Sequence, residues 1–497
     1  MSVQESKVSW LPGLLACLTV PLLFAGAAIP GSAAAPPLLS HDDAESVLSQ
    51  ALSLPPVYAA DLLLRVASGV RFRLPADQAR FVSSALDLAP DVPFETKSRG
   101  LLGLAESEAA LEVIATVYGI DRQSLTLRGV SAYLSMGDAA SARRVFQQLQ
   151  LNPKPVACGS EVAPDFAFYY RTAGQLFASA FTPTPRAKGE DIDLLRNMVA
   201  GVVSVGQLPP VISLIAGANL KPAFLEELTS MLVLRMKNVY PDPAVLQTDV
   251  IVNDFFASFG RLAEALDKQG DTSGLWELFL GLRSLLLSQA ATACNAGSLR
   301  HDAADLPKLL STHYTELISK YPNVSVPDLP VTALKPLRIE KITVSPGRSY
   351  WESQSSKDLM MRGRAVRDDP DNIEKASALL QSVDNWQEND EDDALAYFHE
   401  RAVLYEALIE YLKDPVLRTS AVLHYMSFLQ SSNSLYASGS PAWIVHFRRA
   451  VYLALDAKPD AKRAQIISQL QQSQNPVIST YARFLDLLPS SAWMWFD

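Results

Sequence analysis

Cys158 and Cys294 are the residues of this sequence whose pairing chemistry is easiest to predict. Each lies close to a glycine, Gly159 or Gly297, and glycine permits the backbone adjustment that disulfide geometry requires. If the first 34 residues are removed on export, Cys17 is lost and these two cysteines remain. An unpaired exposed thiol is a liability in an oxidising compartment, so an even number there favours one bridge. We predict a Cys158–Cys294 disulfide, which stabilises the fold by about 4–5 kcal/mol on the chain-entropy model, less any strain. The alternative is two unrelated cysteines, each packed as a small apolar side chain.

Motifs that bind metals, phosphates or cofactors are missing from the sequence. The six histidines are dispersed, and no two of them have the i, i+4 spacing that places two ligands on one helix face. The acidic run 388–393 lacks the glycine and glutamate positions of an EF-hand, and it predicts a solvated loop before a helix. His399 and Glu400 are adjacent and point in different directions on a helix, so His399 is interpreted as structural or solvated. The sequence therefore predicts no catalytic residue, no cofactor and no metal ligand.

Composition and charge argue against a disordered chain and against nucleic acid as a binding partner. Of the 497 residues, 48% are hydrophobic and 19% are charged, which excludes a wholly disordered chain. Lysine and arginine number 43 against 53 aspartates and glutamates, giving a net charge of -10. Nucleic acid is therefore not expected as a partner, because it requires a dense cationic surface.

Residues 1–34 have the pattern of a signal peptide. An apolar stretch runs from Trp10 to Ala28, and Ser32 and Ala34 supply the small side chains that signal peptidase requires. This pattern predicts cleavage before Ala35 and an exported protein, either periplasmic or secreted.

Two alternatives at the N-terminus keep the chain attached to a membrane. An uncleaved segment is one of them, because about 19 apolar residues can just span a bilayer. The other is lipid attachment at Cys17, which ends the lipobox-like sequence Leu14–Cys17. In both cases membrane contact is made only through the N-terminus.

Helical periodicity dominates from His41 onward, in segments separated by proline, glycine and aspartate. Ser40 is the expected N-cap of the first helix, and Pro55 and Pro56 are expected to open the second. Asp369 and Pro370 predict the same kind of start for a later helix. The sequence predicts an all-α protein, an irregular α-solenoid of stacked helical hairpins.

Residues 126–153 resemble a tetratricopeptide repeat, which is a helix–turn–helix unit. The matching positions are Tyr133 in the first helix, Gly137 at the turn, Ala142 where the helices touch, Phe146, and the terminal Pro153. A weaker match to the same repeat pattern lies between Phe259 and Phe279, with Gly270 and Asp271 at a turn. The resemblance implies stacked helical hairpins with an extended concave face that binds peptides or proteins.

A proline-rich stretch divides the helical sequence. Residues 324–352 lose helical periodicity and contain the β-branched segment Leu337–Val344, which predicts a strand in an extended connector. The predicted domains are therefore an N-terminal helical repeat-like domain at 35–323, this connector, and a C-terminal helical domain at 353–497.

Together these patterns predict a non-enzymatic interaction or scaffold protein of the bacterial cell envelope, with a protein or peptide as partner. The alternative is a helical-toroid hydrolase or lyase acting on envelope carbohydrate, because carboxylates from scattered loops leave no local motif. An open groove favours the binding protein. A deep closed pocket with converging carboxylates favours the enzyme.

Overall fold

The structure of the protein is a computed structural model that describes residues 38–92, 119–149, 151, 165–240, 249–289, 292–295, 306–334, 338–341, 354–387, 394–432, 441–455, 460–485 and 488. These residues form 20 α-helices and four short strands, so the predicted all-α fold is confirmed. Among them, no helix combines the length and the apolar character that crossing a lipid bilayer requires. The predicted signal peptide with Cys17, and the acidic run 388–393, lie outside the described residues.

Helices α1 to α13 form the first part of the chain. Their bounds are α1 His41–Leu52, α2 Pro56–Gly69, α3 Pro75–Leu88, α4 Arg122–Ser135, α5 Ala139–Gln148, α6 Phe166–Ser179, α7 Pro183–Ala187, α8 Glu190–Ala200, α9 Leu208–Gly217, α10 Pro222–Met236, α11 Asp249–Lys268, α12 Thr272–Gln289 and α13 Leu306–Ser319. The two predicted helix starts are confirmed here: the Ser40 hydroxyl accepts the backbone N–H of Asp43, and Pro56 is the first residue of α2.

Helices α4 to α13 alternate between two layers. In one layer α4, α6, α9, α11 and α13 pack in succession, and in the other α8, α10 and α12 do the same. Helix α5 packs on α4 and is tied to α8 by an ion pair between Arg143 and Glu190. Most of these helices thus contact a neighbour in sequence as well as the next helix of their own layer, which is the packing of a helical solenoid.

The hairpin of α4 and α5 contains the residues that resemble a tetratricopeptide repeat. Gly137 has a φ of 77°, a left-handed conformation that favours glycine. The backbone N–H of Asp138 donates back to the carbonyl of Tyr133 at 2.9 Å, and the Asp138 carboxylate accepts the N–H of Ser141 at 3.0 Å. One Gly-Asp pair therefore ends α4 and begins α5.

The hairpin of α11 and α12 uses the same turn. Gly270 has a φ of 72°, and the N–H of Asp271 donates to the carbonyl of Leu266 at 3.0 Å. The Asp271 carboxylate accepts the N–H of Gly274 at 2.8 Å and caps α12. The segment with the weaker match to the repeat thus has the same turn geometry as the α4–α5 hairpin.

Short parallel strands connect distant parts of the chain. Strand β1 (Leu38–Leu39) pairs with β2 (Arg71–Phe72), and β3 (Thr292–Asn295) pairs with β4 (Arg338–Lys341). The β4 strand lies within the segment predicted as a strand. Its partner β3 was not predicted, because the sequence offers no local signal for a pairing across more than 40 residues.

The described part of the proline-rich connector packs on the helices before it. Leu329 and Leu334 are buried, and a 3-10 turn spans Val331–Ala333. The hydroxyl of Ser311 in α13 donates to the carbonyl of Leu329 at 2.6 Å, and the Arg283 guanidinium of α12 donates to the carbonyl of Asp328 at 2.9 Å. These contacts fix the extended chain against α12 and α13.

Helices α14 to α20 repeat the two-layer arrangement. Their bounds are α14 Gln354–Asp368, α15 Ile373–Asn385, α16 Ala394–Tyr411, α17 Pro415–Ser431, α18 Pro441–Leu455, α19 Asp460–Gln471 and α20 Pro476–Leu485. Helices α14, α16 and α18 pack in one layer, α15, α17 and α19 in the other, and α20 packs on α19.

The predicted start of α15 is wrong. Its N-cap is Asn372, whose side chain accepts the N–H of Lys375, and not Asp369. Asp369 instead belongs to the end of α14, since its N–H donates to the carbonyl of Val366. The Asp369 carboxylate accepts hydrogen bonds from the side chains of Asn372 and Lys375. Asp369 therefore lies outside α15 and contacts its N-cap residue.

Helix α2 is surrounded on every side. Its residues from Val57 to Ala67 are all buried, and it packs against α1, α3 and α4. The last helix, α20, also packs on α2, and Trp443 of α18 meets Tyr58 edge to face at 5.8 Å. The first and last helical hairpins are therefore in direct contact.

Candidate functional site

An open groove crosses successive helices in the middle of the first solenoid. It encloses about 1630 Å³ and is lined by side chains of α6 to α11. Its position across successive helices follows from the two-layer stacking, because each added hairpin extends the same surface.

The floor of the groove is apolar and includes small residues. Leu214, Phe177 and Phe224 line it, together with Gly174 and Gly217. A Cβ at Gly174 would lie 3.3 Å from the Leu214 side chain, so glycine at this position lets α6 and α9 approach closely. Two prolines at the start of α9 also line the groove and leave no backbone N–H there.

Two lysines stand at helix junctions on the rim. Lys188 is the C-cap of α7 and is followed by Gly189, which has a left-handed φ of 79° and is the N-cap of α8. Lys221 is the N-cap of α10 and follows the left-handed Asn219, whose φ is 48°. The backbone of both lysines is therefore held by tight turns, while both side chains are exposed.

Positive charge prevails in the groove although the whole chain carries a net charge of -10. The five cationic residues are Arg171, Arg186, Lys188, Lys221 and Arg261, and the two anionic residues are Asp191 and Asp254. Arg186 lies 3.9 Å from Asp191, and Arg261 donates to the hydroxyl of Ser213 at 2.8 Å. Among the described residues, neither Lys188 nor Lys221 forms an ion pair.

A second polar cluster lies between α16, α17 and α18. His446 Nδ1 is 2.8 Å from a Glu406 carboxylate oxygen, and the Tyr425 hydroxyl donates to the same oxygen at 2.6 Å. His399 Nδ1 lies 2.9 Å from His446 Nε2. Burial, and then the neighbouring His446, hold the pKa of His399 well below its ordinary value.

Sequence reasoning missed this contact between His399 and His446. The two histidines are 47 positions apart, and only the packing of α16 against α18 brings them together. No local pattern in the sequence reports such packing. The cluster is mostly buried and its side chains hydrogen-bond to one another, which is the arrangement of a structural network.

A buried ionic cluster joins α2 to α4, α18 and α20. One carboxylate oxygen of Asp61 lies 2.7 Å from the Arg128 guanidinium, and the other lies 2.9 Å from Arg65 Nε. The Tyr481 hydroxyl donates to Asp61 at 3.0 Å, and Arg448 is 3.7 Å away. Burial raises the pKa of Asp61, and the two nearest guanidinium groups outweigh it and leave that pKa below its ordinary value.

The residues singled out in the sequence lie away from the groove floor. Tyr133, Ala142 and Phe146 are buried in the α4–α5 hairpin, where the Phe146 ring stacks on Tyr169 at 4.9 Å. Pro153 lies outside the described residues.

The predicted disulfide is not tested by these contacts. Cys158 lies outside the described residues, and Cys294 is described only as backbone in β3. The bridge stays a prediction.

Comparisons with known proteins do not assign this chain to a family. No protein-family model matches it, and no curated protein does. A solved structure, "Circular tandem repeat protein with novel repeat topology and enhanced subunit contact surfaces", is similar to it at 13% identity over 90% of each chain, with a TM-score of 0.17. That score is too low to support a statement about fold or function, so the architecture rests on the helices and contacts described above.

Proposed function

We propose that this chain is an exported, non-enzymatic binding protein of the bacterial cell envelope, and that its α6–α11 groove binds an extended acidic segment of a partner protein. The observation that carries the proposal is the charge of the groove. Five cationic side chains line an apolar floor, and they outnumber two carboxylates in a chain of net charge -10.

Size supports a peptide as the ligand. Sites for small molecules usually enclose about 300–1,000 Å³ and bury most of the ligand. The groove encloses about 1630 Å³ and is open to solvent. An extended segment of several residues suits this volume better than a metabolite does.

Charge supports an acidic segment. Lys188 and Lys221 are exposed and belong to two different helix junctions that line the groove, where carboxylates of a ligand can reach them from solvent. Complementary charges accelerate association and exclude basic partners. The aromatic rings of Phe177 and Phe224 on the floor then offer apolar contacts to side chains between the acidic residues.

The helical-toroid enzyme is the weaker alternative. Glycoside hydrolysis generally requires a pair of carboxylates that flank the scissile bond. The groove contains two carboxylates, and one of them, Asp191, already faces the Arg186 guanidinium at 3.9 Å. The described groove therefore supports binding rather than hydrolysis.

Fluorescence anisotropy with synthetic peptides tests the proposal. The probes are a labelled 15-residue peptide of alternating glutamate and leucine, and its lysine-for-glutamate counterpart. We expect saturable binding of the acidic probe, weakened at least tenfold in the Lys188→Glu/Lys221→Glu variant.

The matched control carries two charge reversals on exposed lysines outside the groove, Lys237→Glu and Lys320→Glu. It has the same net charge as the groove variant and is expected to keep most of the affinity. Equal losses in the two variants, or equal binding of both peptides by the natural chain, contradict the proposal.

A further inference from the structure

Three side chains of types that can bind a metal ion cluster at the junction of α1 and α3, far from the groove in sequence. His41 and Glu45 are spaced i, i+4 on α1, which places them on one helix face. Asp77 lies in the first turn of α3 and faces them. The ligand atoms of all three residues lie within 4.8 Å of one another.

We propose that His41, Glu45 and Asp77 bind a divalent transition metal of the Zn²⁺ class. Ligands about 2.0–2.1 Å from a tetrahedral Zn²⁺ are roughly 3.3 Å apart. His41 Nδ1 and Asp77 Oδ1 are separated by 2.9 Å, so a small widening admits the ion between them. One imidazole nitrogen with two carboxylates favours such a metal over Ca²⁺ or Mg²⁺, which prefer oxygen ligands.

The second carboxylate oxygen of Asp77 is an independent observation that favours a cation at this site. The Asp77 side chain is only 8% exposed. Its Oδ2 atom is buried and has no hydrogen-bond partner among the described residues. A buried carboxylate oxygen without a partner is costly, and a bound cation removes that cost.

Arg80 competes with the metal for Glu45. Its guanidinium, one turn after Asp77 on α3, forms an ion pair with the Glu45 carboxylate. The Arg80 side chain is 51% exposed, so it can turn into solvent when a cation approaches. The proposed site thus has a built-in competitor, and this gives a test that a chance cluster fails.

Isothermal titration with ZnCl₂ alone, on the tag-free chain at pH 7.5, tests the site. We expect one Zn²⁺ per chain at the site and a loss of affinity of at least tenfold in His41→Gln. The same loss is expected in Asp77→Asn. Because His41 is an exposed residue, its variant keeps the test valid even if the variant of the buried Asp77 fails to fold.

The competitor and a matched control complete the experiment. Arg80→Gln is expected to tighten Zn²⁺ binding severalfold, since it frees Glu45. The control is His313→Gln, because His313 also faces a carboxylate on its own helix, Glu316 at 3.7 Å, without a third ligand in the described residues. It is expected to leave binding unchanged. If no stoichiometric binding occurs, or if His41→Gln binds as tightly as the natural chain, these residues form ion pairs only and the proposal is wrong.

Discussion

At the scale of single residues, two N-cap aspartates show how burial determines the direction in which the pKa of a carboxyl group shifts. Asp121 caps α4 and accepts the N–H of Ser124, and burial raises its pKa to about 6. Asp138 caps α5 and accepts the N–H of Ser141, and that hydrogen bond lowers its pKa. The same residue type in the same role therefore has opposite linkage to pH.

Asp121→Asn is predicted to stabilise the protein at neutral pH. The folded pKa is above the unfolded value of 3.8, so the folded state holds the proton longer and stability falls as pH rises from about 4 through about 6. Asparagine caps a helix equally well and has no charge to bury, so we expect a gain of about 1–3 kcal/mol at pH 7.5. Urea unfolding at pH 4 and pH 7.5 measures it, and the gain is expected to vanish at pH 4.

Asp138→Asn is the control for this prediction. The folded pKa of Asp138 is lowered, so its contribution is present at neutral pH and is lost as pH falls below the unfolded value. The control is expected to give no gain at pH 7.5. A less stable Asp121→Asn protein at pH 7.5 would contradict the account of Asp121.

At the scale of elements, the Gly-Asp turns explain why part of the fold could be predicted. Local patterns specify a turn, since a left-handed glycine and a capping aspartate are adjacent in the chain. Gly137-Asp138 and Gly270-Asp271 were recognisable for this reason. The pairing of β3 with β4 and the contact of His399 with His446 depend on residues distant in sequence, and no local pattern predicts them.

The residues that line the groove also could not be predicted from local sequence patterns. Lys188 and Lys221 belong to different helix junctions, and their sequence neighbourhoods contain no shared motif. Only the stacking of α6 to α11 places them around one surface. Sequence reasoning therefore predicted a helical solenoid with a concave face, but not which residues line the groove or what charge they carry.

Gly137→Ala is predicted to destabilise the α4–α5 hairpin. Space is available, because a Cβ there meets nothing within 4 Å, but a left-handed φ of 77° is unfavourable for alanine by about 1–2 kcal/mol. The matched control is Gly363→Ala inside α14, where space is also free and alanine favours the helix. Urea unfolding is expected to give opposite signs for the two variants. A destabilised Gly363→Ala, or a neutral Gly137→Ala, contradicts this reasoning.

At the scale of the whole molecule, Asp61 links the first helices to the last ones. Its carboxylate meets Arg65 in α2, Arg128 in α4 and the Tyr481 hydroxyl in α20. A carboxylate at this point compensates buried cationic groups that belong to different parts of the chain. Removing it leaves those groups in a low-dielectric interior, which is costly.

Asp61→Asn is therefore predicted to destabilise the protein by about 3–5 kcal/mol in urea unfolding. Amide hydrogen exchange is expected to rise in α20 before it rises in α11 and α12, because α20 loses its contact with α2. Glu264→Gln removes an exposed ion pair with Lys268 and is expected to leave the unfolding midpoint unchanged. If amide exchange in Asp61→Asn instead rises equally along the chain, the Asp61 cluster does not specifically hold α20 against α2.

Recognition of acidic peptides by the charge of the α6–α11 groove is tested by a reversal of specificity. Anisotropy titrations of the glutamate and lysine peptides against the natural chain and against Lys188→Glu/Lys221→Glu give four affinities. We predict that the natural chain prefers the acidic peptide at least tenfold, that the variant prefers the basic one, and that both preferences shrink in high salt. An acidic preference that persists unchanged in the variant contradicts the proposed role of the groove.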